Sequence, residues 1–358
     1  MPIKELYHTW NKMLKQMQPT ERVTRTRNFT WLLVGMYQSR CVHLSKIAEK
    51  IPGRANLPSR VRRISRFLDN PAIRVRDWYE PLARMIIARL AHGQMCLIVD
   101  GSKVGFGHQL LMIGVAYRKR AIPLAWTWVK ASRGHSSVSK QKALLAYVHG
   151  LIGPKTRVIL VGDTEFGHVE VQKLLKKWRW QYVLRQKGRY LVKQKYQHKA
   201  QRLDSLIDQP GQSHWFVHCR LTAKHLYRVN LLAYWKPGEK EAWLLATNLH
   251  DPKTVLRAYR KRMWIEEMFG DLKGNGFDLE STHLRSFLRL SRLTLAVVFL
   301  YVWLVAFGSQ IIKNGKRFLV DRSDRRDHSI FRIGRNMVER ILSNGLHLRI
   351  SFNLSLCC

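Results

Sequence analysis

Two aspartates close apolar runs. Asp100 ends CLIVD and Asp163 ends VILVGD. A carboxylate at the mouth of a buried strand is costly unless it is solvated or meets a positive partner. Ligands of open α/β sheets also collect at strand ends. Taken singly, each residue reads as a turn or helix-capping aspartate. Taken together, on strands that can be neighbours, they read as a site for a hard cation. A third carboxylate comes from the stretch between Asp251-Pro252 and Gly274-Asn275-Gly276. Asp is a favoured N-cap, Pro a favoured first helical residue and Gly a common stop, which predicts one helix of about 22 residues. At 100° per residue, Tyr259, Arg262, Glu266 and Lys273 share a stripe roughly 60° wide. Trp264, Ile265, Met268 and Leu272 lie on the opposite side, and Glu267 falls off the stripe as a surface residue. A carboxylate flanked by a phenol, a guanidinium and an ammonium is a set suited to phosphate and metal. The plainer alternative is a solvated face with i,i+4 ion pairs.

The surrounding elements fall into five parts. Residues 1–92 show apolar three- and four-residue spacing and are predicted helical. Within them, Leu44–Ile51, a Pro52-Gly53 turn and the basic segment carrying Arg60, Arg62 and Arg63 outline a helix-turn-helix, or equally a plain helical hairpin. Residues 93–186 alternate as three strands, helix, strand, helix, strand, which indicates a mixed α/β sheet. Arg185 follows the last of these strands and is a candidate DNA-backbone contact. Residues 187–250 are β-like, 251–312 hold the Glu266 helix and an apolar helix, and 313–358 form a basic, partly helical tail. The run LTLAVVFLYVWLVAF (residues 293–307) is shorter than the ~20 residues a bilayer needs, so a buried helix is expected and no membrane. His214, His218 and Cys219 lack a fourth ligand and read as a chance cluster.

The chain carries 63 Lys+Arg against 24 Asp+Glu, a net charge of +39, spread along its length. That balance points to nucleic acid or an anionic surface and disfavours acidic ligands. With 46% hydrophobic residues the chain can build a core, which excludes a disordered basic tail. The five cysteines (Cys41, Cys96, Cys219, Cys357, Cys358) do not space as a disulfide scaffold or zinc knuckle, and the N-terminal residues lack an apolar signal region. A reducing compartment is expected.

Tyr259-x2-Arg262-x3-Glu266-x6-Lys273 resembles the YREK signature of cut-and-paste bacterial transposases of the insertion-sequence-4 group. VDGSK around Asp100 and GDTEF around Asp163 are similar to that family's two acidic blocks, and AWLLATNL to its tryptophan-bearing strand, with Trp243 as the matching residue. The resemblance runs from about residue 30 to 310. It implies a ribonuclease-H-like core interrupted by a β-rich insertion, with an N-terminal helical DNA-binding domain. It further implies Asp100, Asp163 and Glu266 as catalytic ligands of two Mg²⁺ ions, with Mn²⁺ able to substitute. Tyr259, Arg262 and Lys273 then hold DNA phosphates, and Trp243 stacks on an extruded base during hairpin formation. The implied partners are double-stranded DNA, as transposon ends and target, and a second copy of the chain on that DNA; the implied setting is cytoplasmic and nucleoid-associated, in a bacterial or archaeal cell. Two alternatives remain open: a structure-selective nuclease on the same core, and a non-catalytic sequence-specific DNA-binding protein.

Overall fold

A computed structural model of the chain describes residues 2–105, 107–130, 135–194, 197, 199–222 and 224–355. Five helices come first: α1 (Pro2–Met17), α2 (Val23–Ser39), α3 (Leu44–Glu49), α4 (Leu57–Asp69) and α5 (Val75–Leu90). The α4 start is specified locally, since the Asn56 side chain accepts the Ser59 N–H and Pro58 sits in the first turn. Ile64, Phe67 and Leu68 are buried, whereas Arg62, Arg63 and Arg66 face solvent.

Strands β1 (Gln94–Val104), β2 (His108–Tyr117) and β3 (Arg120–Lys130) form an antiparallel meander. Helix α6 (Val138–Leu151) crosses to β4 (Arg157–Gly162), and α7 (Val169–Lys177) crosses to β5 (Gln181–Arg185). Both crossovers return parallel to β1, as chains that pass through a helix can. The β-rich stretch adds β6 (Leu191–Lys193), β7 (Gln201–Arg202), β8 (Ser213–Leu221), β9 (Tyr227–Tyr234) and β10 (Trp243–Thr247). These strands continue the same sheet. Strand β10 pairs antiparallel with β5 through Leu245↔Arg185 and Thr247↔Val183, and the order is β3-β2-β1-β4-β5-β10-β9-β8-β6-β7. An unpaired β5 edge would leave a row of backbone donors and acceptors open. The far strands carry a small core of their own around Val192, Leu203, Cys219 and Leu231. A bulge between Phe216 and Cys219 leaves His214 exposed and Cys219 buried, so the His214, His218 and Cys219 triple makes no site.

The stretch after Asp251 departs from the expected single helix. It consists of α8 (Pro252–Tyr259), a 3-10 turn over Arg260–Arg262 and α9 (Met263–Leu272). Asp251 does cap it, accepting from Lys253 and Thr254 at 3.1 and 2.9 Å. Helix α10 (Phe287–Lys313) is 27 residues long, so the apolar run is only its middle. By length and composition it could cross a membrane, but 83% of its most apolar window is buried inside the protein. It packs on the N-terminal helices through Phe29–Phe299 and Trp10–Trp303, giving helices and sheet one shared core. Helix α11 (Ile330–Ser343) approaches α10 closely, since a Cβ on Gly334 would stand 1.9 Å from the Leu304 carbonyl oxygen. The final segment is anchored: Leu348, Ile350, Phe352 and Leu354 are buried, and Tyr117 donates to the Ser355 carbonyl at 2.7 Å. The stretch read as a basic tail therefore contributes to the core. Cys357 and Cys358 lie outside the described residues.

Candidate active site

Strands β1 and β4 run side by side with Val99 opposite Gly162, so Asp100 and Asp163 leave the sheet at equivalent positions. The Asp100 Oδ1 accepts the Gly101 N–H at 2.7 Å, and Oδ2 accepts from Arg262 at 3.2 Å. Burial pushes the Asp100 carboxyl up to about 6; Arg262 and the Gly101 N–H oppose this, and the charges of Asp163 and Glu266 add to it. The Asp163 Oδ1 is buried with no hydrogen-bond partner among the described residues, the Arg185 Nη1 standing 3.9 Å away. Glu266, 43% exposed, bonds to the other arm of Arg262. Burial disfavours the Arg262 cation, yet Asp100, Tyr259, Asp163 and Glu266 outweigh that and raise its pKa.

The helical stripe is only partly an open face. Tyr259 is buried, which pushes its phenol well above the ordinary range, and its ring meets Trp243 edge-on at 5.0 Å. Trp243 is half-buried, with Tyr234 on its other side at 5.8 Å. Lys273 donates to the Lys103 carbonyl at 3.0 Å and pairs with Glu280, bonding to none of the three acids. Arg185 divides itself between Asp163, Glu241 at 3.0 Å and the Ala242 carbonyl at 3.3 Å. On α4, Arg60 donates to the Ile51 carbonyl at 2.5 Å and so closes the α3–α4 turn, whereas Arg62 and Arg63 stay exposed.

The sequence matches the profile of the transposase DDE domain over residues 96–303, from within β1 to within α10 and including all three acids. The chain belongs to the DDE transposase family. No curated protein matches it. A solved structure described as a piggyBac transposase synaptic complex with hairpin DNA is similar at 10% identity, covering 96% of this chain and 77% of that chain. Its TM-score is 0.42.

Members of the DDE transposase family generally use divalent metal ions. Among the described residues of this DDE transposase domain, no three His, Cys, Asp or Glu side chains are grouped to hold a metal ion together. Arg262 lies between two of the acids. The donor chemistry nevertheless suits a hard divalent cation. All three candidates are carboxylates, Asp163 Oδ1 has no hydrogen bond among the described residues, and buried Asp100 calls for positive charge. An entering ion has to compete with the guanidinium.

Two features of the transposase domain escaped sequence reasoning. Glu267, read as a surface residue, is 59% exposed but pairs with buried Arg120 at 3.1 Å. Arg120 also holds Asp271 at 2.6 Å, whose carboxyl burial pushes up to about 6, so the trio ties α9 to β3. A cavity of about 580 Å³ adjoins Thr164, the residue after Asp163; Arg185, Lys187, Arg189 and Lys240 line it with Trp235, against the two acids Asp204 and Glu241. The signal for it was the WKPG turn after β9, where Trp235 is held by its indole N–H on the Glu239 carbonyl at 2.9 Å.

Proposed function

We propose that this chain is the transposase of a bacterial insertion sequence of the insertion-sequence-4 kind. In this reading it binds the element's terminal inverted repeats, cleaves DNA with metal-dependent chemistry, closes and reopens a hairpin, and transfers strands to target DNA. The order β3-β2-β1-β4-β5, with two aspartates at adjacent parallel strand ends, supports a ribonuclease-H-like core. Residues 93–186 and 251–312 then make up that core, 187–250 its β-rich insertion and 1–92 the DNA-binding part. The observation that carries the reading is the convergence of Asp100, Asp163 and Glu266 on one guanidinium, two as its hydrogen-bond acceptors and Asp163 through its charge.

Asp100, Asp163 and Glu266 would hold Mg²⁺ or Mn²⁺, which when bound supplies positive charge at the attacking and leaving oxygens of phosphoryl transfer. Arg262, released from its carboxylates, offers a bidentate fork to a DNA phosphate. Arg185 and the basic cavity wall hold the strand next to Asp163 by charge. Lys273 joins them on leaving Glu280. Trp243 and Trp235 are the two candidate platforms for an extruded base, and Tyr259 supports Trp243 from below. Arg62 and Arg63, with Arg60 bracing their helix, give a basic face for the transposon end. Two ends require two such sites, hence a homodimer on DNA within the nucleoid.

The test is purified protein on a plasmid bearing the inverted repeats that flank the coding sequence. Mg²⁺-dependent nicks at the repeat boundaries are expected. Cutting that prefers generic branched junctions over those boundaries would make it a structure-selective nuclease. Specific binding with no cleavage under any divalent ion would leave a non-catalytic binder.

A further inference from the structure

We propose that Glu165 is a positioning residue that clasps the two aspartate-bearing strands together and thereby sets the metal affinity of the site. This rests on the reading of Asp100 and Asp163 as metal ligands. Glu165 lies on the 3-10 turn Thr164–Phe166, two residues beyond Asp163, and its side chain is only 11% exposed. Its Oε1 accepts the Ser136 N–H at 2.7 Å and the Ser136 hydroxyl at 2.5 Å, and Oε2 accepts the Gln109 amide at 3.0 Å. His135, largely exposed, stands 3.9 Å from Oε2 and is a cation only when protonated. A buried carboxylate supported mainly by neutral donors is costly, so its hydrogen bonds have to be well placed.

One partner leads to the Asp100 strand and the others to α6. Gln109 is a buried residue of β2, and its amide lies directly over Gly101; a Cβ there would stand 2.2 Å from its nitrogen. Gly101 is also the backbone donor to Asp100. The absence of a side chain at position 101 is what lets Gln109 reach Glu165. On the other side, Gln141 of α6 donates to the Glu165 carbonyl and to the Ser136 hydroxyl, both at 3.1 Å. Glu165 thus joins the Asp163 turn, the backbone beside Asp100 and the start of α6. Among the described residues Asp163 Oδ1 has no hydrogen bond, only the Arg185 guanidinium at 3.9 Å. Its aim therefore depends on the turn that Glu165 holds.

Residues that orient metal ligands from behind typically change affinity by about 10- to 100-fold when removed. The experiment titrates the full-length protein, without DNA, with Mn²⁺ alone, reading bound ion by electron paramagnetic resonance and folding by circular dichroism. Glu165→Ala is expected to weaken Mn²⁺ binding by about 10- to 100-fold, and Glu165→Gln, which keeps an acceptor for Ser136 and can donate to Gln109 Oε1, an atom without a hydrogen-bond partner among the described residues, once the Gln109 amide turns over, to stay within about threefold of the parent. Gln109→Ala is expected to weaken binding as well, and adding Glu165→Ala to it should cost less than the two separate effects combined. Should Glu165→Ala fail to fold, Gln109→Ala carries the same test. A folded Glu165→Ala protein with parental Mn²⁺ affinity overturns the proposal, even if its melting temperature drops. So does a Glu165→Gln protein as weak as the Ala variant, since the carboxylate would then be a ligand itself. A parent protein that binds no Mn²⁺ overturns the metal reading of the aspartates, and this inference with it.

Discussion

Arg262 stands between Asp100 and Glu266, donating to Asp100 Oδ2 at 3.2 Å and to the carboxylate one helical turn further on. One guanidinium therefore occupies the space where an acid pair would receive a cation. Replacing it removes a competitor and leaves the acids without their counterion. Arg262→Gln is expected to raise the Mn²⁺ affinity of the DNA-free protein by about tenfold, the equivalent of ~1.4 kcal/mol. The same variant should bind and cleave DNA less well, having no phosphate fork. Calorimetric Mn²⁺ titration together with cleavage assays checks both halves.

Asp100→Asn, Asp163→Asn and Glu266→Gln should each abolish strand cleavage while leaving DNA binding in place. Phosphoryl transfer depends on positioning and charge stabilisation, and each change removes a ligand charge. Glu267→Gln should be mild, because Arg120 keeps its closer partner Asp271. A cleaving Glu266→Gln protein, or a dead Glu267→Gln one, would reassign the helical acid.

The Asp100 carboxyl, ordinarily near 3.8, is held at about 6. Its folded pKa is raised, so the stability it contributes is complete below about pH 4 and lost as pH rises through 6. Metal competes with the proton for the same oxygens. Mn²⁺ affinity of the DNA-free protein should therefore climb as pH rises toward 6 and level off above it. A titration series from pH 5 to 8 that stays flat would remove Asp100 from the ligand set.

Trp243 and Trp235 should behave differently when shortened. Trp243 braces Tyr259, so Trp243→Ala should lower stability by about 2 kcal/mol and slow nicking and hairpin formation together, which would leave Trp235 as the platform; a selective loss of the hairpin step would instead assign the platform to Trp243. Trp235 lines the cavity that Thr164 and Arg185 also line. Loss of stacking there is worth ~1–3 kcal/mol, so Trp235→Ala should spare the first nick and slow the hairpin step by roughly tenfold or more. Separate quantitation of nicked, hairpin and blunt products distinguishes the two.

Arg62→Ala and Arg63→Ala should weaken DNA binding. Removing one cation that neutralises a phosphate should reduce the salt slope by about one. Arg60→Ala should in addition lower the melting temperature, because it releases the Ile51 carbonyl. Gel shifts on repeat-end and scrambled DNA across salt, with thermal melts alongside, test this. Parental binding by Arg62→Ala and Arg63→Ala on both DNAs would return α4 to a solvated surface.

The strands, crossovers and acid positions were legible in the chain itself. Apolar runs of five, four and three residues, Met95–Val99, Val158–Val161 and Tyr182–Leu184, define β1, β4 and β5, and strand ends are where such sheets carry ligands. Asp251-Pro252 announced the helix that leads to Glu266. These are local signals, decided by backbone preferences and by which residues flank a buried run. Periodicity, though, describes a helix in isolation. It placed Tyr259, Arg262, Glu266 and Lys273 on one polar face, but solvent access depends on what packs there. The sheet buries Tyr259, Lys273 turns to the Lys103 carbonyl, and a 3-10 turn at Arg260–Arg262 breaks the run. The pairing of β10 with β5 and the Glu165 contacts to Ser136 and Gln109 likewise join residues tens of positions apart. Local residue preferences specify the elements and the chemistry they carry. Which charges meet, and which are buried, is decided only when distant elements close over one core, because burial and Coulomb energy depend on distance in space and not along the chain.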